Sequence, residues 1–209
     1  TASVRERVVG HLVNIDPSLA QRVADGLGLS PLPPAPAPAA PVTDMKPSPA
    51  LQIVGKMKAI LNGRAVGILV DDGSDGAAVD GLRKAVEQAG AKVKIVAPKV
   101  GGAKLADGKT LKADGQLAGT PSVVFDAVAL VLANDAGQRL AKEAAAVDWV
   151  RDAFGHLKAI AADVGAQAVL QAAGIQADAG VVKASDAKAF VDAAKTRQWA
   201  REPKLRTLP

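Results

Sequence analysis

Residues 64–98, RAVGILVDDGSDGAAVDGLRKAVEQAGAKVKIVAP, restrict the possible folds more than any other stretch of the chain. Ala65–Val70 is a short β-branched apolar run, too short to stand as a free helix. Gly76–Ala89 then switches to helical spacing, with Val79, Leu82, Val86 and Ala89 on one face. Gly90 stands where a helix ends in a left-handed residue, and Lys92–Val96 is a second strand stopped by Pro98. Strand, helix and strand in so few residues form a βαβ unit, which demands a parallel sheet and a right-handed crossover. Ligands of such sheets bind beyond the carboxyl ends of the strands. Here that position is held by Asp71-Asp72-Gly73-Ser74-Asp75-Gly76. A phosphate cradle wants glycines, bare amides and a cation. Three carboxylates argue against one, and the reading that remains is a solvated loop whose Ser74 or Asp75 caps the helix.

The rest of the chain extends this pattern. Leu51–Asn62 reads as a short amphipathic helix leading into the first strand. Thr110–Lys112 and Gln116–Leu117 are spaced to pair as a small hairpin across 113–115, and Ala127–Leu132 is a buried strand. Gln138–Phe154 carries Leu140, Ala144, Val147, Val150 and Phe154 on one helical stripe. Ala159–Ala162 and Gly180–Val182 read as strands, Ala166–Ala173 as a helix ended by Gly174, and Ser185 as the cap of a helix over Asp186–Thr196. Alternating strands and helices give an α/β class, with a doubly wound, mainly parallel sheet over 51–209.

Two further pieces precede the sheet. Over 1–29, Val8, Val9, Leu12 and Val13 mark one amphipathic helix. Asp16-Pro17 marks the cap and first turn of another, with Leu19, Val23 and Leu27 as its stripe. Two short helices bury too little on their own and call for a partner surface. Residues 30–50 hold eight of the 13 prolines and read as an extended spacer of about 3.1 Å per residue.

Composition narrows the chemistry. Aromatic residues are only 2%, so Ala, Val, Leu and Ile must build the core. No cysteine is present, which removes disulfides, thiolate metal sites and cysteine nucleophiles. Lys195, Arg197, Arg201, Lys204 and Arg206 against Glu202 account for all but one of the +5 net charge. The cations thus form a solvated or neighbour-docked tail, and a nucleic-acid partner is not expected. No run reaches the ~18 apolar residues of a membrane span, no signal peptide is visible, and a cytoplasmic setting is expected.

HLKAIAADVGAQAVLQAAGI, residues 156–175, resembles the nucleophile segment of the class I glutamine amidotransferase-like superfamily, K-P-I-A-A-x-C-H-G followed by a helix ending in A-G. Lys158, Ile160, Ala161 and Ala162 agree with it, Val164 falls where the cysteine would be and Gly165 where the histidine would be. Asp75 matches the acidic partner, and the D-x5-G-G strand becomes Asp126 followed, after six residues instead of five, by Ala133-Asn134. The resemblance therefore implies a degenerate site at Asp75, Asn134, Val164 and Gly165, with the scaffold retained and no catalytic residue carried over.

Residues 4–29, the proline-rich segment after them, and 119–163 together resemble the carboxy-terminal part of large-subunit haem catalases. That resemblance implies core-closing helices (1–29), a linker (30–50) and a flavodoxin-like terminal domain (51–209). The full-length parent would dismutate hydrogen peroxide at a haem. Such enzymes hold the iron through a tyrosine, and this chain has none, so no haem or metal is expected within it. Neither His11 nor His156 is carried over as a haem-site residue. The expected role is structural: packing on the catalase core, stabilising a homotetramer and shaping haem access. Holding unfolded chains or a small ligand is the alternative. Residual hydrolase activity, with Asp75 activating water, is a third reading.

Overall fold

The structure, a computed structural model, describes residues 1–37, 44, 46, 48–51 and 56–205. The chain divides into two compact units, Thr1–Lys56 and Met57–Pro209.

In the first unit, α1 (Ala2–Val13) and α2 (Pro17–Leu27) pack together around Val9, Ala20 and Ala24. Asp16 caps α2 by accepting from the Ser18 and Leu19 amides, and Gly28 ends it at φ +65°. The inward line of α2 is thus Ala20 and Ala24, with Leu19 and Leu27 left largely exposed. Small residues form the centre of the contact; of the expected stripe Val23 packs against it, while Leu19 and Leu27 do not. The start of the proline-rich segment lies against these helices: Pro33 is buried, Leu32 joins the small core, and Asn14 Nδ2 donates to the Pro36 carbonyl at 3.0 Å. Its first residues therefore pack back on α1 rather than extending freely.

The second unit is the sheet domain. Its strands are β1 (Ala65–Val70), β2 (Lys92–Ala97), β3 (Ala103–Lys104), β4 (Thr110–Leu111), β5 (Gly115–Gln116), β6 (Ala127–Val131), β7 (Ile160–Ala162) and β8 (Val181–Lys183). Its helices are α3 (Gly76–Gln88), α4 (Asn134–Leu140), α5 (Ala144–Gly155), α6 (Gln167–Ala172), α7 (Ala187–Ala194) and α8 (Glu202–Leu205). The six-stranded parallel sheet runs β5-β2-β1-β6-β7-β8. Val66, Ile68 and Val70 face a core built with Val79, Leu82 and Val86 of α3 and Phe190 of α7. Leu69, Val128 and Leu130 face the other core, built with Trp149 and Val150 of α5 and Val169 of α6. Burial on both faces is why β1 and β6 read as unbroken apolar runs.

Several expectations are corrected. Thr110–Leu111 pairs antiparallel with Ala103–Lys104, whereas Gly115–Gln116 joins the main sheet beside β2. Asp114 sets that register, its carboxylate accepting from the Ile95 amide at 2.7 Å and its own amide donating to the Ile95 carbonyl at 2.8 Å. The long helix is two, α4 and α5, broken at 141–143 so that each packs at its own angle; the buried positions of α5 are Ala146, Trp149, Val150 and Ala153. Asp186, not Ser185, caps α7, accepting from the Ala189 amide at 2.9 Å. Of the helix expected over Leu51–Asn62, residues 52–55 lie outside the described residues, and 57–61 have no regular structure.

Over its described part the tail docks on its own domain at Arg197, Gln198 and Arg201, while Trp199 stays exposed. Arg197 donates to the Asp126 carbonyl at 3.1 Å, and the Gln198 amide to the Leu157 carbonyl at 2.8 Å. Arg201 is fully buried on Asp178. Arg206 lies outside the described residues.

Candidate functional site

Strand order reverses between β1 and β6, so their carboxyl ends frame the crevice where such sheets take ligands. Here the protein's own chain closes that crevice. Ser74, fully buried, accepts from the Asp71 amide, and its Oγ lies 2.6 Å from the Val131 carbonyl and 2.7 Å from the Asp71 carbonyl. The single hydroxyl proton is shared across the strand gap. Buried Asp71 pairs with Arg139 of α4. Above the loop, residues 103–106 are stitched to it: the Gly73 amide donates to the Lys104 carbonyl, the Lys104 amide to Asp72, and the Ala106 amide to the Ser74 carbonyl. The ammonium of Lys99, 2.5 Å from Asp72, holds that carboxyl below its usual range. A Cβ on Gly73 would already sit 3.0 Å from that of Ala133.

The four residues of the expected degenerate site lie on the loops that follow β1, β6 and β7, at this same sheet end. Asp75 is exposed and its Oδ1 accepts from the Ala77 and Ala78 amides, which makes it the cap of α3. Asn134 opens α4 and is exposed. Val164 stands on the strand-to-helix turn after β7 with 79% of its surface exposed. Gly165 is buried, and a Cβ placed on it would lie 1.8 Å from the Leu132 carbonyl oxygen. Its own carbonyl would lie 1.8 Å from a Cβ on Gly137 of α4. The backbone of the loop after β6 thus occupies the space in which a side chain at 165 would project, and the Gly165 carbonyl takes the space of a side chain at 137. Two cavities, one of about 490 Å³ beside Ser3 and Arg7 and one of about 260 Å³ beside Lys94 and Phe125, are lined by none of these four residues.

Asp163 organises this turn and is not among the residues singled out from sequence. Its carboxylate accepts from the Leu132 amide at 2.8 Å and the Ala166 amide at 3.0 Å, tying β7 to β6 and to the start of α6. Burial pushes its pKa up against those two amides, and the nearby charge of Asp75 adds to the rise. An aspartate shortly before a helix start is a capping signal, and this was the available clue.

The geometry leads to an expected result. Val164→Cys changes stability by no more than about 0.5 kcal/mol, because the side chain projects into solvent. Gly165→His costs about 1–3 kcal/mol or more, because the loop backbone must move. Urea unfolding of both variants checks this, and equal costs would contradict the packing just described.

The opposite sheet end holds two buried cations. Arg201 forks onto Asp178 at 2.7 and 2.8 Å and donates to the Phe154 and Lys158 carbonyls. Lys158, 2% exposed, donates to the Ser122 carbonyl at 2.7 Å, and the buried Ser122 Oγ has no hydrogen-bond partner among the described residues.

The donor set does not fit a haem. No tyrosine exists, and both histidines are exposed, His11 on α1 and His156 at the end of α5. Among the described residues no cluster of three metal-ligating side chains occurs, and no helix is long and apolar enough to cross a membrane.

A parallel sheet in the order 2-1-3-4-5, with one short strand added beyond strand 2, defines a flavodoxin-like domain. Toxoplasma gondii DJ-1 shares the fold, with a TM-score of 0.52 at 17% identity over 68% of this chain and 96% of that one. Residues 62–197 match the profile of the C-terminal domain found in long catalases, and the chain belongs to that family. Over 99% of its length it is 42% identical to Catalase C of Rhizobium meliloti and 34% identical to Catalase HPII of Pseudomonas aeruginosa. It spans 30% of the length of each.

Proposed function

We propose that this chain is the non-catalytic C-terminal part of a haem catalase, and that it stabilises the subunit and its homotetramer and shapes access to the haem. The parent enzyme dismutates hydrogen peroxide in the cytoplasm, with the haem bound in the remaining two-thirds of the polypeptide. In this reading 1–29 closes the catalase core, 30–50 is the linker and 51–209 is the appended domain. The observation that carries it is the closed crevice: Ser74, Asp71 and the backbone around Gly165 use internally the groups a substrate would need. Asp75, Asn134, Val164 and Gly165 are then a vestigial site, with Asp75 retained as a helix cap.

Deleting 51–209 from the full-length enzyme should lower its melting temperature or dissociate the tetramer, read by calorimetry and sedimentation. An unchanged melting curve together with an unchanged oligomer would sink the proposal. A second reading, holding unfolded chains, is favoured by Val4, Val8 and Ile15 of the first unit, which are 55, 51 and 75% exposed. It requires that equimolar chain suppress aggregation of a heat-denatured client.

A further inference from the structure

We propose that the amino-terminal half of the β1–β2 face is the surface by which this domain docks on the rest of a long catalase polypeptide, taking an apolar anchor surrounded by acidic groups. This rests on the structural role proposed above and names the surface that performs it.

The argument starts from a missing helix. The crossovers on either side of the sheet are covered by α3 and α7 on one face and by α5 and α6 on the other. Residues 98–126, the crossover from β2 to β6, are all described and contain no α-helix. In its place stand β3, β4, β5 and two 3-10 turns, Leu117–Gly119 and Ser122–Val124. Leu117 and Phe125 cover only part of the sheet there. Phe125 lies so close over β1 that a Cβ on Gly67 would be 2.6 Å from its ring. Beside it the sheet stays open as a cleft of about 260 Å³, floored by Ala65, Lys94 and Gly115 and walled by Thr120, Val124 and Phe125.

The border of that cleft is apolar and exposed. Val123 and Val124 are 55 and 59% exposed. Ile60, just before β1, and Trp199, two residues after the arginine that docks on Asp126, are exposed at the same sheet end. On this border Lys94, and Lys92 two residues before it on the same strand face, form no ion pair among the described residues. The one carboxylate in the cleft, Asp114, is engaged by the Ile95 amide. An apolar centre with a cationic rim fits an apolar anchor with an acidic rim. It does not fit a second copy, because a two-fold contact would set Lys92 and Lys94 against their own equivalents. The chain accounts for 30% of the length of its long relatives, so a far larger body is available to supply the complement.

The test uses the full-length polypeptide with Val124→Asp, Lys94→Glu, and Val100→Asp as a control. Val100 is 76% exposed in the turn after β2, at the other end of the sheet. The readout is the rate at which a protease releases the domain under native conditions. Val124→Asp and Lys94→Glu should each raise it about tenfold or more, as loss of an interface anchor does, and Val100→Asp should not change it. Should Val124→Asp fail to fold, the surface charge reversal Lys94→Glu carries the test. Wild-type release rates in both variants, with stability still lost on deleting 51–209, would overturn this surface and leave the structural role standing. Deletion without effect would overturn both. Dimerisation of the isolated chain that Val124→Asp abolishes would make a second copy the occupant and overturn the assignment.

Discussion

Arg201→Ala is expected to destabilise the sheet domain by about 3–5 kcal/mol in urea or thermal unfolding of the chain, the range for breaking a buried ion pair from one side. The side chain has no exposed surface. Its Nε and one terminal nitrogen grip both oxygens of Asp178 at 2.7 and 2.8 Å. The other terminal nitrogen donates to the Phe154 carbonyl at 3.1 Å and the Lys158 carbonyl at 3.0 Å. The guanidinium also lies 3.8 Å over the Phe154 ring. Truncation leaves two carbonyls and a partly buried carboxylate without these donors, as well as a void. Arg201→Lys should recover less than half the loss, since an ammonium cannot reproduce the fork. Lys188→Ala, which removes an exposed, solvent-screened pair with Asp192, should cost far less. A loss at Arg201 no larger than that at Lys188 would mean the tail does not hold the sheet end closed.

Arg201 also shows where reading the sequence stops. A cation among cations near the chain end reads as solvated, because nothing local reveals that it will be buried. Its burial is decided by Asp178, Phe154 and Lys158, which lie 23 to 47 residues earlier. The strands β1 and β6 were legible for the opposite reason: each is a continuous apolar run whose burial on both faces leaves its mark in the residues themselves; β2, apolar only over its second half, was legible from its place between Gly90 and Pro98. β5 has two residues and no periodicity, and it is placed by the bonds of Asp114 to Ile95 across 19 residues. The break between α4 and α5 carries no glycine or proline at 141–143, so helical spacing alone runs through it. At the candidate site the cap role of Asp75 was legible from its place before Gly76. The constraint at Gly165 was not, since a glycine in sequence does not say which carbonyl has taken the space of its side chain.

At the same sheet end, Lys158 should make the domain more stable as pH rises from about 8 to 10.5, a range in which many proteins lose stability. Burial, with the charge of Arg197 adding, pushes its pKa down from 10.5 to about 8, against the opposing pull of Asp126 and Asp152. Between those two values the unfolded chain holds the proton and the folded chain does not. The unfolded state therefore binds more protons, and unfolding free energy climbs with pH. The climb is on the order of 3 kcal/mol for a shift of this size. It is complete above the unfolded value and absent below the folded one. The cause is visible in the structure: among the described residues the ammonium has one acceptor, the Ser122 carbonyl at 2.7 Å, and no carboxylate within salt-bridge distance. Lys158→Met removes the buried charge and should raise stability at pH 7 by about 1–3 kcal/mol, since the Ser122 carbonyl loses its donor in exchange. Above pH 10.5 the substitution should confer no gain. Urea unfolding of wild type and variant from pH 7 to 10.5 isolates this residue, because every other titration is common to both. Parallel curves would mean that Lys158 is charged and adequately solvated where it lies. Converging curves would establish it as a buried cation whose loss of charge stabilises the fold.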